Sequence, residues 1–172
     1  MATKGKGNRW IGWALVALIA LALGALFLPL LSTKDISGNS ISFFGWPVIF
    51  GGNVEASTSS GTYAFTFNIN IALLVLTQCF LLSGVSCALG GQSVFNRVFA
   101  LVFSSVCLAG LCMTPWLVSL FSPIPFDGLS LGYGGWVSFA LSALVIIGEI
   151  AWIVMTKKPS KNDKKSAEIK DS

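Results

Sequence analysis

The chain contains no histidine, and only 10% of its 172 residues are charged. Soluble domains carry about 25% charged residues, so this low charge and a 54% hydrophobic share favour a membrane protein. The missing histidine removes the commonest general base and the commonest metal ligand. The chain also lacks the P-loop, G-x-S-x-G and H-E-x-x-H motifs. We therefore predict no enzyme activity, no cofactor and no metal site.

Disulfide and redox chemistry have little sequence support. The four cysteines are Cys79, Cys87, Cys107 and Cys112, and no two of them form a C-x-x-C pair. All four lie in apolar windows, so no disulfide framework is expected outside the membrane. We expect these cysteines to act as small apolar packing residues.

Four apolar windows predict an all-α transmembrane protein, because about 20 helical residues cross a hydrocarbon core about 30 Å thick. The windows are residues 10–31, 69–89, 98–121 and 136–156. We predict that they form a four-helix bundle. The first window follows basic residues, as a signal peptide would. Its apolar run is longer than the usual 7–15 residues, so an uncleaved helix is preferred to a cleaved signal.

The basic residues predict the orientation. Ten of the eleven lie in segments 1–9, 90–97 and 157–172, and the remaining one is Lys34. The positive-inside rule then places both termini in the cytoplasm and the protein in the plasma (inner) membrane. The polar tail, residues 157–172, is expected to be disordered. Its lysines either contact anionic lipids or serve only to fix the topology.

The first outer loop, residues 32–68, has the pattern of an extracytoplasmic β-hairpin. The stretch "YAFTFNIN" alternates with period two, "ISFFGWPVIFGG" is rich in β-forming residues, and "NVEASTSSGT" between them reads as a turn. Pro47 would have to lie at an edge or bulge. The loop either caps the helices or presents a partner surface. The candidate surface residues are Phe43, Phe44, Trp46 and Phe50. The second outer loop, residues 122–135, is predicted to form turns.

Glu149 is the main candidate functional residue, since it lies within the fourth window. It shares one helical stripe with Gly134, Ser138, Ser142 and Val145, so it should point into the bundle. An ionised, unpaired carboxylate there costs several kcal/mol, so we expect it to be neutral or hydrogen-bonded. It serves either as a structural hydrogen-bonding group or in proton or ion transport. Partners available at a similar depth are Ser83, Ser86, Ser104, Ser105 and Arg97.

Pro115 lies inside the third window and cannot donate a hydrogen bond to Leu111, so a kink is expected there. Such a kink is either static or part of a gate.

The order of segments resembles the claudin-type plan of four helices with a β-rich first outer loop. The Trp-Gly-Leu-Trp pattern and paired cysteines of that plan are absent from this loop, so the resemblance transfers no functional residue. The leading prediction is a small, non-enzymatic accessory or scaffold protein. It would contact the lipid bilayer, other membrane proteins or further copies of itself, and no nucleic acid. The alternative is a small transporter or channel subunit that uses Glu149 together with Ser138 and Ser142.

Overall fold

The computed structural model describes residues 6–35, 37–59, 61–90, 93–122 and 128–157. This part of the chain is mostly helical and carries small antiparallel sheets. The elements are α1 (Lys6–Ala25), β1 (Pro29–Lys34), β2 (Ser40–Phe44), α2 (Gly45–Phe50), β3 (Gly52–Thr58), β4 (Gly61–Phe67), α3 (Ile71–Leu89), α4 (Val94–Phe121), β5 (Ser130–Leu131) and α5 (Tyr133–Lys157). The predictions for the lysine tail beyond residue 157 and for residues 123–127 fall outside the described residues.

The four long helices pack in a ring, in which α1 and α4 each lie against both α3 and α5. Helices α3, α4 and α5 are long and apolar enough to cross a membrane, whereas the apolar part of α1, Arg9–Ala25, is shorter. The first apolar window was expected to be helical as far as Leu31. Helix α1 instead ends at Ala25, because the ring of Pro29 would clash with the carbonyl of Ala25 in a continuing helix. Residues 29–31 begin strand β1.

The outer surface of the helix ring is apolar, unlike that of a soluble bundle. Large apolar side chains such as Val85, Val102 and Ile147 are exposed there. Buried polar side chains lie among the apolar core residues on the inner faces of α3, α4 and α5; they are Thr77, Ser83, Arg97, Ser104, Thr114, Ser138, Ser142 and Glu149. A helix ring with apolar residues outside and hydrogen-bonded hydroxyls inside suits a hydrocarbon solvent.

Two small sheets and α2 form a unit at one end of the helices, which we call the cap. The first sheet has the order β2-β1-β5, and the second is the hairpin β3-β4. All strand pairs are antiparallel, and the hairpin register runs from Gly52 opposite Phe67 to Thr58 opposite Gly61. The cap is tied to α4 by Asn68, whose side chain donates to the carbonyl of Phe121 at 2.8 Å.

The strand pairing within the cap differs from the sequence expectation. Residues 41–44 pair with β1 rather than with the "YAFTF" strand, and residues 45–50 form the short helix α2. The partner of "YAFTF" is the polar segment that was expected to be a turn, because its alternation lets Val54 and Ala56 face inward while Glu55 and Ser57 stay exposed. Pro47 lies in the first turn of α2, where a missing N–H leaves no helical hydrogen bond unmade.

Phe43 was expected on a partner surface, and that expectation is wrong. The side chains of β2 alternate, so Phe43 is fully buried while its neighbour Phe44 is 56% exposed. The Phe43 ring packs edge-on against Phe65 and Phe67, with centroids 4.9 and 5.2 Å away. Phe43 therefore joins the two sheets into one cap core and is not available to a partner.

The junction between α1 and the cap leaves no space for a side chain at Gly45. Its N–H donates to Leu28, and a Cβ there would overlap the backbone carbonyl of Leu26. We predict that Gly45→Ala lowers the free energy of unfolding by about 1–3 kcal/mol, the usual cost of overpacking. The matched control is Gly24→Ala, since a Cβ at Gly24 meets no atom within 4 Å. It should change stability by no more than about 0.5 kcal/mol. Thermal unfolding in detergent checks both, and equal effects would contradict this packing.

Candidate functional site

Glu149 is fully buried among three helices. Ser138, Ser142 and Val145 of the same stripe are also at most 2% exposed, so this face of α5 points into the helix ring. The facing residues come from α3 and α4, which form an antiparallel pair directly before α5 in the chain. The site therefore requires α3, α4 and α5 to be packed together.

The carboxyl group of Glu149 is held through one of its two oxygens. Its Oε1 accepts hydrogen bonds from Ser104 Oγ of α4 at 3.0 Å and from Cys87 Sγ of α3 at 3.3 Å. A further bond of 2.7 Å joins Ser104 Oγ to Ser83 Oγ. Because Ser104 gives its only hydroxyl proton to Glu149, Ser83 must donate to Ser104. The result is a chain of hydrogen bonds from α3 through α4 to α5, which we call the carboxyl cluster (Ser83, Cys87, Ser104, Glu149).

The other carboxyl oxygen, Glu149 Oε2, is buried and has no hydrogen-bond partner among the described residues. A small internal space lies beside Ser104, with about 10 Å³ in which the centre of a water molecule can lie. Its walls are Ile19, Phe80, Ser104, Ser142 and Val145. This is about the minimum that one water requires. An ionised carboxylate with an unpartnered oxygen is costly in such a place, so the geometry fits a neutral acid.

A cation–π contact between Arg97 and Trp152 lies near the site, toward the end of the helices that carries the chain termini. The guanidinium of Arg97 lies 4.7 Å from the centre of the Trp152 ring, and its Nε donates to the carbonyl of Gly90 at 2.7 Å. The Trp152 side chain is fully buried. It fits because Gly12 and Gly90 leave room: a Cβ on either would lie 3.1 Å or less from the ring.

The other predicted residues take different places. Ser138 Oγ donates to the carbonyl of Ala22 and so connects α5 to α1, whereas Ser142 Oγ donates to the carbonyl of Ser138 within α5. Ser105 is exposed and bonds to Leu101 of its own helix, so it does not join the site. Pro115 lies within α4, which continues through it to Phe121. Of the candidate partners, Ser83 and Ser104 come together with Glu149.

Sequence reasoning assigned Cys87 to packing and missed its hydrogen bond. A usable signal was present, since Ser83 and Cys87 are four residues apart and thus share one face of α3. Among the described residues, no group of three His, Cys, Asp or Glu side chains could hold a metal ion. The groups of the carboxyl cluster can form hydrogen bonds, and Glu149 can exchange a proton.

A second candidate site is an aromatic patch on the cap. Phe27 follows α1, Trp46 and Phe50 lie on α2, and the three side chains are 38–60% exposed. The Trp46 ring lies 4.4 Å from that of Phe50 and 6.3 Å from that of Phe27, measured between centroids. This aromatic patch (Phe27, Trp46, Phe50) contains two of the four residues predicted for a partner surface. Phe27 was not predicted as part of this surface, because it lies in the segment between α1 and β1, far along the chain from α2.

Comparison with protein-family models, with curated proteins and with solved structures finds no match for this chain.

Ser104 is the link between the three helices at the carboxyl cluster, and its neighbour Ser105 provides a matched control. We predict that Ser104→Ala lowers the free energy of unfolding by about 1–3 kcal/mol, because Ser83 and Glu149 each lose a buried partner. Ser105→Ala should change it by no more than about 0.5 kcal/mol. Denaturant titration in mixed micelles measures both. If the two variants behaved alike, Ser104 would not be the link described here.

Proposed function

We propose that this chain is a multi-pass membrane protein that acts as a non-enzymatic accessory or scaffold subunit. Its aromatic patch contacts another integral membrane protein at the outer surface of the bilayer. The observation that carries the proposal is the exposed cluster of Phe27, Trp46 and Phe50 beside the sheets of the cap. Aromatic anchors on a fixed scaffold lose little conformational entropy on binding, which is why they dominate many interfaces.

In the proposed arrangement, α1, α3, α4 and α5 form a four-helix transmembrane bundle. The cap then lies outside the cell, and both termini lie in the cytoplasm of the plasma (inner) membrane. The charge distribution supports this orientation, since Lys34 is the only basic residue on the cap side. Exposed Trp116 and Trp136 near the cap, and exposed Trp10 and Trp13 near the other end, fit the two interfacial aromatic belts.

The carboxyl cluster has a structural role in this proposal. Hydrogen bonds from α3 and α4 to Glu149 hold the helices that carry the cap at a fixed distance from one another. Polar contacts of this kind contribute modestly to helix association in membranes, typically about 0.6 kcal/mol each, but they also select one packing. A fixed bundle keeps the aromatic patch in one orientation.

Removing residues 41–52 would delete buried Phe43, Val48 and Ile49, so exposed residues make the sharper test. In the Thr62→Cys variant, the new thiol on the exposed face of β4 reacts with a crosslinker that carries a membrane-impermeant maleimide and a photoreactive group. We predict that the maleimide labels this variant on intact cells and that illumination then captures one membrane protein. The double variant Trp46→Ala/Phe50→Ala should lower capture by roughly tenfold, since buried aromatic anchors contribute most of the binding energy.

The matched control for this experiment is Trp136→Ala, because Trp136 is 58% exposed and Trp46 is 60% exposed. Capture should be unchanged in the control. Labelling only after the cells are opened would contradict the proposed orientation. Equal capture in the double variant and the control would make the patch a lipid-facing belt and end the contact proposal.

A second function is favoured by one observation: Oε2 of the buried Glu149 has no hydrogen-bond partner among the described residues, and Ser104, which donates to Oε1, lines a small internal space. A neutral acid with a free oxygen is the group that a proton-coupled transporter or channel subunit needs within the membrane. The scaffold proposal and this alternative differ in what Glu149 must do. In a scaffold it stays protonated, and in a transporter it must lose and regain its proton.

Glu149→Gln separates the two functions, because the amide keeps the shape and the oxygen that Ser104 and Cys87 bond. We predict that this variant folds and retains partner capture at the level of the unsubstituted protein. Infrared difference spectra in a bilayer, taken against Glu149→Gln, should show a protonated carboxyl band that does not respond to an imposed ion gradient. A band that moves with the gradient, together with loss of solute flux in the variant, would establish the transporter instead.

A further inference from the structure

The buried carboxyl group of Glu149 accommodates a proton more readily than a charge. Its Oε1 accepts hydrogen bonds from Ser104 of α4 and Cys87 of α3, whereas the equally buried Oε2 has no donor among the described residues. A neutral acid in this place leaves one polar atom without a partner. The ionised form would in addition place a negative charge in an apolar interior, at a far higher cost.

The ionisable groups around Glu149 do not supply a counter-charge. The buried ionisable groups on the neighbouring helices are Cys87 on α3 and Cys107 and Arg97 on α4. A thiol can only become negative, so neither cysteine compensates for a carboxylate. The guanidinium of Arg97 is directed to the Trp152 ring and the carbonyl of Gly90 rather than to Glu149. On α1, Arg9 is exposed, and α5 itself carries no second acid.

The absence of histidine leaves the range between about pH 5 and pH 8 with few other titrating side chains, because ordinary carboxyl groups ionise below it and lysines above it. Among the described residues, the other buried acid is Asp35. Its carboxylate accepts hydrogen bonds from the backbone N–H groups of Ser37 and Asn39 at 2.8 Å each. These donors favour the charged form, so Asp35 gives no reason for stability to fall as the pH rises.

We propose that the packing of α5 against α3 and α4 is a pH-sensitive contact, in which Glu149 holds a proton while the helices are packed and releases it when α5 separates from them. The contact consists of the carboxyl cluster, whose donors come from both neighbouring helices. The proposal rests on the structural role of this cluster in the proposed function. It adds that the proton on Glu149 is a condition for that role.

The sign of the pH dependence follows from the number of bound protons. In the opened state water reaches the carboxyl group, and an ordinary glutamate there ionises above about pH 4.3. The packed state therefore binds one proton more than the opened state. Raising the pH favours the state with fewer protons, so the equilibrium between packed and opened helices shifts toward opening by up to about tenfold per pH unit.

The first test measures thermal midpoints of the full chain in maltoside micelles from pH 5 to pH 8 at constant ionic strength. We expect the midpoint of the unsubstituted protein to fall by roughly 3–5 °C per pH unit. Glu149→Gln should remove this slope, because an amide has no proton to lose. The matched control is Glu55→Gln, which removes an exposed acid on β3 and should keep the slope of the unsubstituted protein.

The second test uses Cys87 as a local reporter, because its thiol is fully buried beside Glu149 while the helices are packed. Labelling by N-ethylmaleimide is followed by peptide mass spectrometry, with the exposed Cys112 of the same molecule as the internal control. The ratio of Cys87 labelling in the unsubstituted protein to that in Glu149→Gln should rise by up to about tenfold per pH unit. The same ratio for Cys112 should stay constant, since this thiol is exposed in both states.

Two results would overturn the proposal: a midpoint of the unsubstituted protein that is constant from pH 5 to pH 8, and a slope that is the same in Glu149→Gln. If Glu149→Gln does not fold, Glu149→Met takes its place, because this apolar side chain of similar length also has no proton to lose. The double variant Trp46→Ala/Phe50→Ala should keep the full pH slope. Loss of the pH dependence and loss of partner capture are therefore separate results.

Discussion

A carboxyl group enclosed by hydrocarbon must either lose its charge or find hydrogen-bond donors, and the helix packing depends on how Glu149 meets this requirement. Its donors come from different helices, Ser104 on α4 and Cys87 on α3. Sliding or rotating one of these helices by a single residue would separate the groups and leave a buried polar atom unsatisfied. The cluster thereby selects one packing among the many that apolar helix faces would allow.

The fixed helix ends explain why a loop of mixed polarity can form an ordered cap. Strand β1 continues directly from α1, β5 leads into α5, and the two strands pair with each other. Asn68 and Asn70 bond to carbonyls at the end of α4, so the hairpin is joined to the same helices. Phe43 packs between the two sheets, against Phe65 and Phe67, and completes the core of the cap. The surface left over includes the aromatic patch.

Much of the architecture follows from local pattern. The period of the Glu149 stripe indicated that this side chain points inward, and it does, together with Ser138 and Ser142. The alternation of "YAFTF" indicated strand β4. The pairing of that strand was predicted wrongly, because the polar residues of β3 were read as a turn and β1 lies at the end of an apolar window. The roles of Phe27 and Cys87 also depend on neighbours that are distant in the chain.

What the sequence by itself determined is the class of protein and the inward face of α5, since both depend on composition and on the 3.6-residue period of a helix. The tertiary structure decided which groups meet: Ser104 rather than Ser105 at Glu149, and Arg97 over Trp152. The physical reason is that helical and strand periods are set within a few residues, where backbone sterics act. Hydrogen-bond partners are set by the relative rotation and register of separate elements, to which all side chains of the packed interfaces contribute.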